Sequence, residues 1–373
     1  MKKIGLMGCG LIAEYGHLPA ILATQGLEAW AVYDPDPERA YGLQHKYGIP
    51  HGYAISSMFF ESGLDAVVIT SPAPAHRQNV EEAARYGLPV LCEKPLAMTD
   101  YDASAMIQTM KEADLLLATG FCYRFSPVAQ NIKRLVMDGA IGEVRSLRLV
   151  YIWNLHGRDQ VGADGRLEPN PYWVGRMAEG GPMVDCGVHQ IDLARWWLGS
   201  DVANYQASGA WVEDYTAPDH MWLHLDHENG AHTMAEMSFS YGHTVRDPLA
   251  HFSYHLIGTE GVIRYDRDGW LFEVRTRYGT HRLPGAGEKN FEGLYAAFAH
   301  ALETGDPGDL PSGRDGLRAT QIARQATEMV IARRLPNTAP VARFASRSEA
   351  GQGKQGQGKT AQGKNGRLTG AAC

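Results

Sequence analysis

A chain of 373 residues with 44% apolar and 21% charged side chains has a globular composition, and two domains are expected at roughly 100–200 residues each. Residues 341–373 carry six basic and one acidic side chain, leaving 29 basic and 41 acidic on the first 340. That acidic body repels a polyphosphate backbone and argues against nucleic acid as a partner. The five cysteines are odd in number, widely spaced and without a CxxC pair. They argue against a disulfide framework or a zinc knuckle, and they fit a reducing, cytoplasmic compartment. No charge-free apolar run approaches membrane-spanning length, and the opening run is too short for an export signal.

The first 120 residues alternate strand-like and helix-like segments. Lys3–Met7 is a short apolar run that ends in glycines, and Ile12–Thr24 has helical spacing. Glu28–Tyr33 reads as a strand and Pro37–Lys46 as a helix. Ala66–Thr70 is a strand, Arg77–Tyr86 a helix, Pro89–Cys92 a strand, Tyr101–Glu112 a helix and Leu115–Ala118 a strand. Continuously apolar strands separated by helices predict a doubly wound parallel sheet covered on both faces. This α/β unit, residues 1–121, is expected to be a Rossmann dinucleotide-binding domain.

Beyond residue 122 the texture changes. Pro127–Met137 reads as a helix, Glu143–Trp153 as a long strand and Pro182–Leu198 as a helix. Strands then follow closely, with Asn229-Gly230 and Asp268-Gly269 as turns, and Phe291–Leu302 and Gly316–Ala332 close the unit as helices. Residues 122–340 are therefore expected to form an α/β domain with an open, mostly antiparallel sheet. Residues 341–373, rich in Gly, Gln and Lys, are expected to be disordered.

Gly8-Cys9-Gly10-Leu11-Ile12-Ala13 stands between the first strand and the first helix. Gly8 permits a sharp turn, Gly10 admits a pyrophosphate to the backbone, and the helix start presents N–H groups to it. A generic glycine turn is the alternative. Asp34 lies 24 residues beyond Gly10 at the end of the second strand. A carboxylate there can accept both ribose hydroxyls and repels a 2′-phosphate, favouring NAD, while Arg39 leaves NADP open. Asp34 could equally be a turn acid. Ser71-Pro72 and His76 follow the third strand, at the edge where ligands bind, although His76 is as well suited to capping the next helix.

Glu93-Lys94-Pro95 follows the fourth strand of this series, at the same edge. Lys94 can stabilise a developing alkoxide or form a surface salt bridge. In Gly180–Asp192, Asp185 and His189 are four apart and share one helix face. Imidazole is the acid/base group suited to neutral pH, and Asp185 can orient substrate or raise the basicity of His189. A helix cap with a core histidine, or a pair of metal ligands, are the alternatives; no third ligand has a fitting spacing, so no metal is assigned. Arg124, Asn154, His156, Arg158 and Trp173 are polar or aromatic groups suited to a polyhydroxylated ring or to a domain interface.

The glycine turn, Glu93-Lys94-Pro95 and Gly180–Asp192 together resemble the signatures of the Gfo/Idh/MocA oxidoreductases, over residues 1–338. The resemblance implies NAD(P)-dependent dehydrogenation of a secondary hydroxyl on a sugar, cyclitol or sugar acid. It implies Lys94, Asp185 and His189 as the catalytic set, with Asp185 and His189 also touching substrate. Gly8, Gly10, Leu11, Ile12, Asp34, Ser71, Pro72, His76, Glu93 and Lys94 would hold the cofactor, with Ala73 standing where asparagine is common. The resemblance also implies that residues 122–340 bind substrate and another copy of the chain, in a homodimer or homotetramer. An NAD-dependent glycoside hydrolase of the same fold and a non-catalytic NAD-binding regulator are the rival readings.

Overall fold

The computed structural model describes residues 1–153, 159–161, 166–169, 171–240, 250–285 and 289–334. Asn154, His156, Arg158 and the expected disordered tail lie outside these, as does the side chain of Trp173.

The first unit runs β1 (Lys2–Met7), α1 (Leu18–Ala23), β2 (Leu27–Tyr33), α2 (Pro37–Tyr47), β3 (His51–Tyr53), α3 (Ser56–Phe60), β4 (Ala66–Ile69), α4 (His76–Arg85), β5 (Val90–Cys92), α5 (Asp100–Glu112) and β6 (Leu117–Thr119). Its strands form one parallel sheet in the order β3-β2-β1-β4-β5-β6. Every residue of β4 is buried, because helices cover both faces. Side chains alternate between two cores. Val68 joins Ile4 and Leu6 on one face, while Val67 and Ile69 join Met7 and Val90 on the other. Side-chain caps fix helix starts: Asp36 accepts from Glu38 N at α2, and Thr99 accepts from Asp102 N at α5.

The second unit continues with α6 (Pro127–Met137), β7 (Val144–Ile152), the short pair β8 (Asp159–Val161) and β9 (Leu167–Pro169), α7 (Pro171–Ala178) and α8 (Val188–Leu198). Then come β10 (Val202–Ala210), β11 (His220–His227), β12 (His232–Ser238), β13 (His251–Gly258), β14 (Gly261–Asp266), β15 (Leu271–Thr276), β16 (Gly279–Arg282), α9 (Phe291–Thr304) and α10 (Gly313–Ala332). The eight-stranded sheet has the order β10-β11-β12-β7-β13-β14-β15-β16. All its pairs are antiparallel except β12 with β7. Along β11, Met221, Leu223 and Leu225 face the core, while His220, Trp222 and His224 take the other face. No described helix is long and apolar enough to cross a membrane.

Three features differ from the sequence reading. The strand β3 and helix α3 were not expected, and neither were β10 and β16. His51-Gly52-Tyr53 and Val202–Ala210 lack the apolar runs that mark strands, and pairing with neighbours makes them so. The helix expected over Ile12–Thr24 opens as a π-helical turn at Ala13–His17. The one expected over Pro182–Leu198 does the same at Met183–Gly187. Finally, α10 returns to the first sheet: Thr119 N donates to Pro311 O at 2.7 Å, and Thr119 Oγ1 donates to Ser312 O at 3.0 Å. The two sheets are thus tied at the edge where the loops of the first one gather.

Candidate active site

The glycine turn is set by backbone contacts. Gly8 has φ +105°, and a Cβ on it would lie 2.5 Å from Ser71 N. Its N–H donates to Tyr33 O at 2.8 Å, and its carbonyl accepts from Thr70 Oγ1 at 2.6 Å. Gly10 is different: a Cβ there would meet nothing within 4 Å. The space in front of it is open, as a pyrophosphate requires. Asp34 fills two roles at once. Its oxygens accept from Cys9 N and Asp36 N, both at 2.9 Å, and it borders the same cleft.

That cleft, of about 610 Å³, runs from Asp34 and Arg39 past Gly8–Ile12, Ser71 and Pro72 to Glu93, Lys94 and Arg176. Its shape, glycine floor and terminal carboxylate fit a dinucleotide. His76 does not border it. This histidine is buried, with Nδ1 3.1 Å from Leu96 O and Nε2 2.8 Å from Ser71 O. It ties the two cofactor-side loops together.

At the far end two sheets meet. Lys94 Nζ donates to Asp185 Oδ1 and to the Asp185 carbonyl, both at 2.8 Å. Both residues are buried. Asp185 sits in the π-helical turn before α8; such widened turns release carbonyls from the helix ladder, and this one accepts from Lys94. Arg176 Nη1 approaches the same carboxylate at 3.3 Å. Asp185 is therefore engaged with cations, and its charge also acts on His189, against the larger effect of burial.

His189 opens the α-helical part, 2% exposed, between the rings of Tyr123 and Phe121 at 4.5 and 5.5 Å. Burial, with the charges of Lys94 and Lys289, holds its imidazole well below the ordinary value. The ring thus favours its neutral form, and among the described residues its Nδ1 has no hydrogen-bond partner.

Glu93 completes the floor. One oxygen lies 2.8 Å from His17 Nε2, and the other accepts from Lys94 N at 3.0 Å. His17 Nδ1 is 2.6 Å from Tyr295 Oη. Burial pushes the Glu93 carboxyl up, but His17 and Lys94 outweigh it and hold it below the usual carboxylate range.

Two family models cover most of this chain. One, described as "Oxidoreductase family, NAD-binding Rossmann fold", matches residues 2–121; the other, a GFO/IDH/MocA C-terminal domain, matches residues 129–264. The chain belongs to the Gfo/Idh/MocA family. It is 31% identical to a D-apiose dehydrogenase of Rhizobium rhizogenes, over 73% of this chain and 75% of that protein. It is 28% identical to a scyllo-inositol 2-dehydrogenase (NAD(+)) of Bacillus subtilis, over 70% of this chain and 72% of that one. An Agrobacterium radiobacter oxidoreductase, solved with NAD+, L-tartaric acid and magnesium, superposes with a TM-score of 0.76 at 25% identity, over 89% of this chain and 96% of that one. Chemistry of this Gfo/Idh/MocA protein is accordingly NAD(P)-dependent oxidoreduction of sugar, cyclitol or polyol hydroxyls.

Lys94 and Asp185, 91 residues apart, are in contact, and the Lys94 and Lys289 charges act on His189 beside them. Arg124, expected at substrate, instead makes a buried fork with Asp192: Nε to Oδ2 at 2.7 Å and Nη2 to Oδ1 at 2.5 Å. Sequence reasoning missed His17, Tyr295, the rings around His189, and Lys289. His17 follows the glycine turn, and its position there was the one available signal. Lys289 is fixed by its neighbours. Asn290 caps α9 by accepting from Gly293 N at 2.8 Å, and its own N–H donates to Cys122 O at 3.3 Å. The Lys289 ammonium lies 5.9 Å from the Tyr15 ring; burial first, then Lys94, lowers its basicity.

Two glycine variants separate fold from binding. Gly8→Ala forces backbone apart and should cost about 2–4 kcal/mol, read as a lower melting temperature. Gly10→Ala should leave the melting temperature unchanged, yet weaken NAD+ binding by calorimetry about tenfold or more by filling the phosphate space. For His189, removing a neighbouring positive charge makes protonation easier. Lys289→Met should therefore raise the His189 pKa, and the ring's NMR titration should move to higher pH.

Proposed function

We propose that this protein oxidises a secondary hydroxyl of a sugar, cyclitol or sugar acid, with Lys94 and His189 acting on the hydroxyl and Asp185 holding Lys94 in place. The buried Lys94–Asp185 contact beside a neutral His189 carries this reading. When bound, the nicotinamide accepts the hydride. The chain's own residues handle the proton and the charge. A neutral imidazole accepts the hydroxyl proton, and the ammonium of Lys94 stabilises the oxygen as negative charge develops. Two bonds from Lys94 to Asp185, one to carboxylate and one to carbonyl, restrict that ammonium to one orientation. In the reverse direction the same groups return the proton.

NAD is the cofactor favoured over NADP. The carboxylate of Asp34 at the adenosine end opposes a 2′-phosphate, while Arg39 is 63% exposed and bound to Asp36. Gly8, Gly10, Leu11, Ile12, Ser71, Pro72 and Glu93 border the cleft and are read as its cofactor contacts. Asn154, His156, Arg158 and Trp173 remain the proposed contacts to substrate. The protein is read as cytoplasmic and as a homodimer or homotetramer. Its outer sheet face supports self-association, since Trp222 and the 52% exposed Ile257 stand there among polar groups.

A panel of polyols, aldoses and aldonates, assayed at 340 nm with NAD+ and NADP+, tests the reading. Substrate-dependent NADH is expected. Glycosidic products without net NADH would mean the hydrolase, and cofactor binding without any turnover would mean the regulator. Lys94→Ala and His189→Ala should each lower kcat by about 100-fold or more while leaving the Kd for NAD+ within about threefold. Wild-type turnover in either variant removes that residue from the mechanism.

A further inference from the structure

The Arg124–Asp192 fork is buried, 5% and 1% exposed, and neither residue borders the cleft. Arg124 directly follows Tyr123, whose ring packs on His189 at 4.5 Å. Asp192 lies three residues after His189, on the next turn of α8. Two parallel bonds between a planar guanidinium and a carboxylate fix orientation as well as distance. The fork therefore locks the segment that carries Tyr123 to the helix that carries His189.

The lock extends further. Arg124 Nη2 also approaches Asp315 Oδ2 at 3.5 Å, and Arg195 Nη1 donates to Asp315 Oδ1 at 3.1 Å. Asp315 forms the capping box of α10 with Ser312, accepting from Ser312 N at 3.0 Å. The carbonyl of Ser312 accepts from Thr119 on β6. A continuous chain of polar contacts, buried at Arg124–Asp192 and exposed at Ser312, thus joins the edge of the cofactor sheet to α8. Burial opposes the Arg124 charge, but Asp192 and Asp315 outweigh it and hold the guanidinium above its ordinary value.

We infer that Arg124 and Asp192 are positioning residues that set the His189 ring against Tyr123, and through α10 set it relative to the first sheet. Lysine at 124 keeps the charge and loses the fork. If Arg124→Lys fails to fold, the apolar pair Arg124→Met with Asp192→Leu supplies the measurement, because a buried ion pair can be replaced as a unit with little loss of stability.

The test uses the full chain, labelled with 13C-histidine, with the His189 resonance identified by its loss in His189→Gln. NAD+ binding is read by tryptophan fluorescence. Kinetics use the polyol giving most NADH in the panel above. In Arg124→Lys, or the paired variant, the His189 resonance should shift as its ring contact changes. The Kd for NAD+ should stay within about twofold, and kcat should fall about tenfold or more with KM within about threefold. Three results overturn the inference: an unmoved resonance, a loss of activity that only follows the folded fraction, or a raised KM with kcat intact, which would make Arg124 a substrate contact. The kinetic arm rests on the role proposed for His189. The resonance arm does not, so absence of turnover by wild type would defeat that role and leave the positioning inference to be decided by NMR.

Discussion

The contact between Lys94 and Asp185 is the constraint on which the rest of the structure depends. It closes the end of the cofactor cleft with two buried side chains, one from the loop after β5 and one from the π-helical turn before α8. Removing Asp185 would take from the buried Lys94 ammonium the carboxylate that pairs with it, at a cost on the order of several kcal/mol, whereas removing Lys94 would leave that carboxylate with Arg176 at 3.3 Å. The pair is therefore favourable only if β5 and α8 meet in one arrangement. The β-strand edge, the return of α10 onto β6 and the Arg124–Asp192 fork all serve that arrangement.

Both chemical ends of the cleft begin a helix with a π-helical turn, Ala13–His17 behind the glycines and Met183–Gly187 behind Gly180-Gly181. A wider turn has a weaker hydrogen-bond ladder, so it persists where something else takes up the freed groups. At the second site the Asp185 carbonyl accepts from Lys94. At the first, His17 closes the turn and reaches Glu93 and Tyr295. Each turn thus joins a helix start to Glu93-Lys94.

Much of the fold was legible because its strands are apolar runs and its helices end at glycine or proline. Ala66–Ile69 and Pro127–Met137 needed no tertiary information. Val202–Ala210 and Gly279–Arg282 did, because small and polar residues become strands only through a neighbour's backbone. At the site, glycines, Lys94 and His189 stand in short local patterns. The network behind Glu93 does not: His17, its partner, lies 76 residues away, and Tyr295 lies 278 residues from the His17 ring it meets. The place of Arg124 after a Rossmann strand suits either a substrate contact or a domain interface. Its buried pairing with a carboxylate 68 residues away is reported by no spacing rule.

The electrostatics of the far end follow from the same geometry. Burial acts differently on the two groups: a buried ammonium needs a counter-charge, whereas a buried imidazole in its neutral form is a competent proton acceptor. Asp185 supplies Lys94 with a counter-charge, and its pull on His189 is outweighed by burial and by the charges of Lys94 and Lys289. The imidazole then has aromatic neighbours and two nearby cations, and stays neutral. One carboxylate thus holds the lysine by an ion pair, while burial and the nearby cations keep the histidine a proton acceptor. Moving Asp185 to the histidine would lose both properties together, which is why its place on the wide turn, and not on the regular helix one turn later, matters to the chemistry.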